Sequence, residues 1–379
     1  MRSHYDYIIT GAGCSGLSLL IHMLKYPELR NRSILLVDKA VKNTNDRTWC
    51  FWEKETGLFE SIVNHRWNKL TFHSASTDRK MKIDPYQYKM IRGIDFYEHC
   101  FREVKNHSNV DVIFADVLSI DNRNDKAFVQ LKDQTITCDL LFNSILFEPI
   151  KKEEGKFLLL QHFKGWMIQT KDPVFNPLTA TLMDFRTSQQ HGATFFYVMP
   201  TSSTEALVEY TLFTPDLLEQ EEYNAALKQY IHQNLNITNY EVMHEEFGII
   251  PMTNNKFQKR NGSIINIGTA GGQVKASSGY AFKFIQKQSQ QIATSLAKQQ
   301  EIKLSSSKKF QYYDSVFLNV LSNHPQKGAE IFSKIFANNL PETIFRFLDN
   351  ESGITDDLKI ITPLTSTAFI KAGMQELLK

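Results

Sequence analysis

The chain has 379 residues, which at about 150 residues per domain is enough for two or three domains around a core able to enclose a ligand. With 43 Lys and Arg against 41 Asp and Glu, the formal net charge is +2. Without a long basic run, that balance excludes the phosphate-driven affinity of nucleic-acid binders. Aromatic residues make up 12 %, including 27 Phe and 14 Tyr, a weight that fills a core or lines a cavity for a large apolar molecule.

The N-terminus, Met1-Arg-Ser-His-Tyr-Asp, has no apolar stretch of the kind a secretion signal needs, so a cytoplasmic chain without a signal peptide is expected. Tyr5–Thr10 is a β-branched and aromatic run that stops at Gly11-Ala-Gly13-Cys-Ser-Gly16, and Leu17–Leu24 has the apolar density of a buried helix. Ser33-Ile-Leu-Leu-Val-Asp38 follows as the continuous apolar run of a strand covered on both faces, completing a parallel βαβ unit. From Thr71 to Lys82 and from Val110 to Phe147 the pattern is short alternating strands, with Ala127–Leu131 and Ile136–Phe142 among them. Ala193–Met199 and Ala206–Phe213, joined by Pro200-Thr-Ser-Ser-Thr204, predict a hairpin in a second, antiparallel sheet. That Ser-Ser-Thr run is a turn, since it lacks the GxSxG of a nucleophile elbow.

Leu218–Leu235 reads as a helix, Ser263–Ile267 as a short buried strand, Gly268–Tyr280 as a glycine- and serine-rich loop, and Ala281 to about Gln299 as a long helix. Past Ser305 the chain is helical, with Phe310, Tyr313, Phe317, Val320 and Leu321 on one stripe and a second segment from Ala329 to Leu348 broken at Pro341. These stripes are packing faces or, alternatively, a face laid on a membrane surface. No run approaches the roughly 20 apolar residues of a spanning helix. Cys14, Cys50, Cys100 and Cys138 have neither CxxC nor Cys/His ligand spacing, so they read as reduced thiols, with no disulfide framework and no metal site. His65, His73, His99 and His162 show no triad spacing and read as surface or satisfied core histidines.

Gly11-x-Gly13-x-x-Gly16 lets the backbone turn tightly and approach a pyrophosphate, while the following helix offers free N–H groups and partial positive charge. Asp38 lies 22 residues after the third glycine, at the end of the second strand, where an acid can hydrogen-bond a ribose hydroxyl. The ligand read from this context is an adenine dinucleotide, FAD or NAD. The interleaved sheets and the late Gly268-Thr-Ala-Gly271-Gly272 loop favour FAD.

Asp46-Arg-Thr-Trp-Cys-Phe-Trp-Glu53, Tyr197-Val-Met-Pro200 with Ala206-Leu-Val-Glu209-Tyr-Thr211, and the loop from Gly268 to Tyr280 together resemble the bacterial flavoprotein lycopene cyclases. Phe345-Arg-Phe-Leu-Asp349 followed by Asp357–Thr362 is similar to that family's tail, so the resemblance spans nearly the whole chain. It implies an α/β fold: an FAD-binding Rossmann-type domain of the aromatic-hydroxylase kind, an inserted antiparallel-sheet substrate domain and a C-terminal helical region. The expected bounds are 1–75, 110–150 and 260–300 for the first, 76–109 and 151–259 for the second, and 305–379 for the third. The implied activity is cyclisation of the ψ end groups of lycopene or other acyclic carotenes to β-ionone rings, without net redox change. The family requires reduced FAD, with NADPH as the common reductant, and a peripheral seat on the cytoplasmic membrane face where its substrate dissolves.

The resemblance makes Glu209 the catalytic acid and base. A carotene has no heteroatom, so the enzyme must protonate a carbon–carbon double bond and later remove a proton. A buried carboxylic acid can do both if its pKa is raised enough. Period two puts Leu207, Glu209 and Thr211 on one strand face, with Val208 and Tyr210 flanking; the alternative is an ordinary solvated strand position.

In a loop at 46–53, Arg47 and Trp49 would face flavin or polyene, unless Trp49, Phe51 and Trp52 form a packed aromatic cluster; Glu53 and Glu55 are expected in solvent. Gly268, Gly271, Gly272 and Gly279 would allow close approach to the flavin, and Tyr197 with Tyr280 or Phe282 would face the polyene. Two departures stand out. Flavin hydroxylases of this fold carry Gly-Asp where this chain has Gly268-Thr269, which argues against a hydroxylase and leaves open how the ribitol phosphate is held. Asn143-Ser-Ile replaces a segment usually bearing glycine or arginine. The competing readings are a flavin monooxygenase or prenyl reductase on the same scaffold, and a non-enzymatic prenyl-lipid-binding protein of the escort type.

Overall fold

The computed structural model describes residues 2–304 and 306–379. Among these, the strands form three sheets. The first is parallel at its centre: His4–Thr10 pairs with Ile34–Asp38 on one side and Thr135–Asn143 on the other, flanked by Val110–Phe114 and Ile264–Asn266. Ile9, Leu36 and Phe142 face the helices Cys14–Leu24, Gly93–Val104 and Phe282–Ala297. Ile8, Leu35, Val37 and Leu141 face the hairpin of Ser119–Arg123 and Lys126–Gln130. That two-sided cover explains the unbroken apolar run at 34–37, which no half-exposed strand would carry.

The second sheet runs Glu241–Thr253, Leu158–Gln169, Glu205–Thr214, Ala193–Pro200, Thr179–Asp184, Lys69–His73 and Asp78–Lys82, antiparallel except where Thr179–Asp184 meets Lys69–His73. One face, carrying Val208, Tyr210 and Leu212, is covered by the helix Gln220–Gln233. The other face, carrying Tyr197, Leu207 and Phe213, meets the C-terminal helices and a small sheet of Thr48–Glu53, Gln87–Arg92 and His65–Trp67. Phe72 stacks on Phe336 at 4.4 Å and 9°, fixing the helical region to this sheet.

Several expectations shift. Lys69–His73 leaves the first unit, because its backbone completes the second sheet. Gly93–Val104, expected with the substrate unit, buries Phe96, Cys100 and Val104 in the same core as Leu17 and Leu20. Residues 48–53 are a strand, not a loop, paired along their length with Gln87–Arg92. The long strands Leu158–Gln169 and Glu241–Thr253 escape the sequence pattern because Lys164, Gly165, Glu245 and Gly248 interrupt their alternation.

The segment expected to break at Pro341 is two helices, Gly328–Asn338 and Pro341–Leu348, with proline at the first helical position where its missing N–H costs nothing. Of the stripe on the helix Lys308–Asn323, Phe310, Val320 and Leu321 are buried, so most of it is a packing face. Among the described residues, no helix is long and apolar enough to cross a membrane.

Candidate active site

The two glycine-rich turns converge at the carboxyl end of the first sheet. Gly11 has φ +94°, and its N–H donates to Val37 O at 2.7 Å. Gly16 is obligatory: a Cβ there would lie 1.9 Å from Gly11 O. At Gly13, by contrast, a Cβ would meet nothing within 4 Å, so this side of the turn is open. The helix that starts at Cys14 has no side-chain cap and no acid in its first turn, and Ser15 Oγ is buried without a partner. Open space, uncapped amides and an orphaned hydroxyl are what a pyrophosphate and ribitol would satisfy.

Gly268, at φ +60°, brings the late loop against this turn, within Cβ reach of Ser15. Gly271 and Gly272 are required locally instead: their Cβ positions would meet Asn266 O at 2.2 Å and the Phe257 ring at 2.7 Å. Asp38 is buried and braces the turn, accepting from the Ala12 N–H at 2.6 Å and the Ala40 N–H at 3.1 Å, with Lys42 Nζ at 3.4 Å. Asn143 is equally structural: it accepts from Thr10 Oγ1 at 2.9 Å and donates to Asn266 Oδ1 at 2.9 Å, knitting three strand ends together.

The strand Thr48–Glu53 sorts its side chains by period two. Trp49 and Phe51 point to the first core, Trp49 packing on Phe96 at 5.1 Å and Phe51 stacking on Phe282 at 4.4 Å. Cys50 and Trp52 point the other way, with Cys50 Sγ 3.2 Å from Met199 Sδ and Trp52 edge-on to Tyr280 at 4.8 Å. Of the aromatic cluster, then, Trp52 and not Trp49 adjoins Tyr280. Arg47 lies exposed and donates to Phe247 O at 3.1 Å, on the second sheet and not on the glycine turns. Glu53 is not free in solvent: the buried Lys89 ammonium sits 3.1 Å from it.

Glu209 lies on the face of the second sheet that these residues cover. Tyr197 is directly opposite it on the neighbouring strand, and the Tyr197 and Tyr280 hydroxyls are 3.4 Å apart. Thr211 Oγ1 donates to Glu209 Oε1 at 2.8 Å, as the shared strand face predicts. Glu209 is only 8 % exposed. Burial pushes its carboxyl well above the ordinary glutamate range, and the charge of Glu246 pushes it further.

Glu246 is the residue the sequence reading missed. It sits on Glu241–Thr253, is buried, and accepts from Thr48 Oγ1 at 2.7 Å. Its carboxyl is also raised by burial, against the opposing pull of Thr48, His244 and Arg47. The available signal was the pair Glu245-Glu246 entering the apolar run Phe247–Met252: alternate faces put Glu245 at the surface, 3.0 Å from Lys164, and Glu246 inside. The phenols of buried Tyr88 and Tyr197 and of half-buried Tyr280 surround the pair, each pushed up by burial of the hydroxyl. Such surroundings can hold a proton on a carboxyl at neutral pH and present aromatic faces to a cation.

An apolar cavity of about 370 Å³ opens among the C-terminal helices, lined by Phe317, Phe336, Phe347, Phe369, Ile370 and Met374, among others. Ser277 and Ser278, just before Tyr280, also line it.

Solved structures with this architecture define its class. A geranylgeranyl bacteriochlorophyll reductase-like protein from Thermoplasma acidophilum superposes with a TM-score of 0.61 at 12 % identity, covering 98 % of this chain and 96 % of that one. The flavin-dependent brominase Bmp2 gives 0.63 at 13 % identity over 95 % and 98 %. Klebsiella pneumoniae HpxO, complexed with FAD and uric acid, gives 0.60 at 12 % identity over 97 % and 98 %. The fold is thus the Rossmann-type α/β fold of FAD-dependent oxidoreductases and hydroxylases. Within that class, the lycopene cyclase protein family matches residues 6–373, and the chain belongs to that family. The lycopene beta-cyclase of Pantoea ananas is 27 % identical over 219 residues; this match takes in 56 % of the chain and about half, 53 %, of the relative's length.

Proposed function

We propose that this protein is a lycopene β-cyclase: it binds FAD and converts the ψ end groups of lycopene to β-ionone rings, giving γ-carotene and β-carotene, with Glu209 as acid and base. The observation that carries the reading is the Glu209 carboxyl, buried among Tyr88, Tyr197 and Tyr280 and raised well above its ordinary range. An isomerisation of a hydrocarbon needs a proton donor of this kind and no other polar group at the reacting carbon.

Gly11, Gly13, Gly16, Ser15 and Gly268 would hold the cofactor, with Asp38 bracing the turn and Gly271 and Gly272 shaping the late loop. When bound and reduced, with NADPH as the proposed reductant, FAD supplies negative charge that favours a cation in the substrate. The chain's own residues do the rest. Tyr197, Tyr280 and Trp52 exclude water and face the polyene, Trp49 supports the strand from behind, and Glu209 gives its proton to the terminal double bond and takes one back after ring closure. The apolar cavity and the exposed Ile370, Met374 and Leu377 at its mouth support a peripheral seat on the cytoplasmic membrane face, from which a carotene is drawn.

A second reading, reduction of an isoprenoid double bond, draws on the fold shared with the reductase-like protein. Expression in a lycopene-accumulating bacterium with chromatography of the pigments tests both. β-Carotene or γ-carotene, isomers of lycopene, are expected; a product heavier by two hydrogens would establish the reductase. Glu209→Gln is expected to abolish conversion while flavin stays bound, and full activity in that variant would overturn the assignment of the acid.

A further inference from the structure

We propose that Glu246 is a positioning residue for Glu209: the two carboxyl groups, meeting over Gly165, hold one proton between them, and the charge left on Glu246 keeps that proton on Glu209 at rest. The proposal rests on the reading of Glu209 as the acid and base.

The geometry begins with register. Gly165 is paired with Glu209 on one side and with Glu246 on the other, so the three stand in one row across the sheet and share a face. Strands are spaced by about 4.8 Å, which puts the outer two backbones roughly 10 Å apart, a gap two glutamate side chains close if nothing stands between them. Gly165 supplies that gap. A Cβ at 165 would lie 3.0 Å from Glu246 Cγ, 3.2 Å from Glu246 Oε1 and 3.0 Å from Leu207 Cδ1, so Glu246 leans over the glycine toward the Glu209 strand and shares that space with the Leu207 methyl.

The hydrogen-bond inventory then leaves one place for the proton. Glu246 Oε2 accepts from Thr48 Oγ1 at 2.7 Å, and Glu209 Oε1 accepts from Thr211 Oγ1 at 2.8 Å. Glu246 Oε1 is buried with no other partner, in a residue only 5 % exposed. A carboxyl hydrogen shared with the second Glu209 oxygen satisfies it. An unpaired buried oxygen of this kind is otherwise costly.

The surroundings decide which member carries the charge. Arg47 and His244 lie on the Glu246 side and favour its ionised form. Facing Glu209 are Cys50, Tyr88, Tyr197 and Tyr280, all held neutral by burial, with no cation among them. Two carboxyls this close cannot both ionise readily, so the pair carries a single negative charge, seated on Glu246.

The chemistry balances. The Glu209 O–H bond breaks as a C–H bond forms at the terminal alkene carbon, whose π electrons make that bond. The pair now carries two negative charges beside a tertiary cation. A second π bond closes the ring, a C–H bond next to the new cation breaks to form the ring alkene, and its proton returns to Glu209. No electrons are gained or lost. The second charge both stabilises the cation and makes Glu209 a strong enough base to recover the proton.

The test uses the flavin-loaded protein, in vitro lycopene conversion across pH, and infrared spectra of the protonated-carboxyl band. Glu246→Gln is expected to move the alkaline limb of the activity profile down by about one pH unit or more, and the carboxyl band with it. Thr48→Val, which removes the hydroxyl that favours the Glu246 charge, is expected to move both upward. A limb and band that stay in place in the two variants would overturn the proposal, as would a Glu246→Gln protein that loses activity equally at every pH while keeping its flavin. If wild-type protein cyclises no carotene, the functional reading falls. The infrared titration, which needs no substrate, still decides the proton pair. If Glu246→Gln does not fold, Thr48→Val alone carries the test by the direction of its shift.

Discussion

Gly268 and Ser15 meet where the two glycine-rich turns converge: a Cβ on Gly268, whose φ is +60°, would lie 2.7 Å from Ser15 Oγ. The contact brings a loop more than 250 positions downstream against the first turn of the first helix, at the proposed cofactor site.

Gly268→Ala is therefore expected to strip flavin while leaving the fold intact. The left-handed backbone costs an L-residue about 1–2 kcal/mol, and the methyl group displaces the hydroxyl that would face the cofactor. Purified protein should lose most of its visible flavin absorbance, with thermal unfolding lowered only modestly. A fully yellow variant would mean that this contact is packing and nothing more.

Lys275 and Asp314 form a buried ion pair at 2.8 Å, with Ser277 Oγ donating to the same carboxylate at 2.6 Å and Asn350 Oδ1 2.7 Å from the ammonium. Asp314→Ala leaves that ammonium uncompensated, and an expected loss of about 3–5 kcal/mol should appear in urea unfolding. Replacing both partners, Lys275→Met with Asp314→Leu, should recover most of it. Equal losses in the single and double variants would show that the pair is not acting as a unit.

His162 gives the fold an acid weakness. It is fully buried, bonded to Thr214 Oγ1 at 2.6 Å and to the Tyr223 hydroxyl at 2.5 Å, and burial lowers its pKa to about 4. The unfolded chain takes up this proton near pH 6.5, the native state only near the lowered value. Stability is thus intact above that window and falls as pH drops through it, by on the order of 2–3 kcal/mol. His162→Gln should flatten this part of the pH–stability curve; an unchanged slope between the two pH values would assign the weakness to other groups.

The buried glutamates act with the opposite sign. Their native pKa values are raised, so their contribution is intact below the ordinary glutamate range and is lost as pH rises above it. Glu209→Gln should consequently raise the unfolding temperature at pH 8 while changing it little at pH 4.

Ile370, Met374 and Leu377 are exposed along the helix Thr367–Leu377 and line the mouth of the apolar cavity. Ile370→Gln with Met374→Gln removes roughly 2–3 kcal/mol of apolar transfer energy, which predicts at least tenfold weaker co-sedimentation with neutral phosphatidylcholine vesicles. Unchanged sedimentation would place the membrane face elsewhere.

Much of this was legible in the sequence. The turn Gly11 to Gly16 between a strand and a helix, the two-sided run at 34–37 and the hairpin around Pro200–Thr204 are local, because glycine conformation, apolar periodicity and turn chemistry act over a few residues. Glu209 was also within reach, since the family resemblance points to it and period two puts it on one strand face with Leu207 and Thr211. The face assignment of Trp49 against Trp52 was not, because it depends on which of two cores lies on each side of their strand.

Glu246 marks the limit most clearly. The sequence by itself determined that a dinucleotide-type turn and an acid on an aromatic strand exist, because each is written in consecutive residues. Only the tertiary structure decided that Glu209 has a partner, because positions 165, 209 and 246 lie far apart in the chain. They meet through strand register, and whether two carboxyls share a proton depends on the distance and burial that register creates.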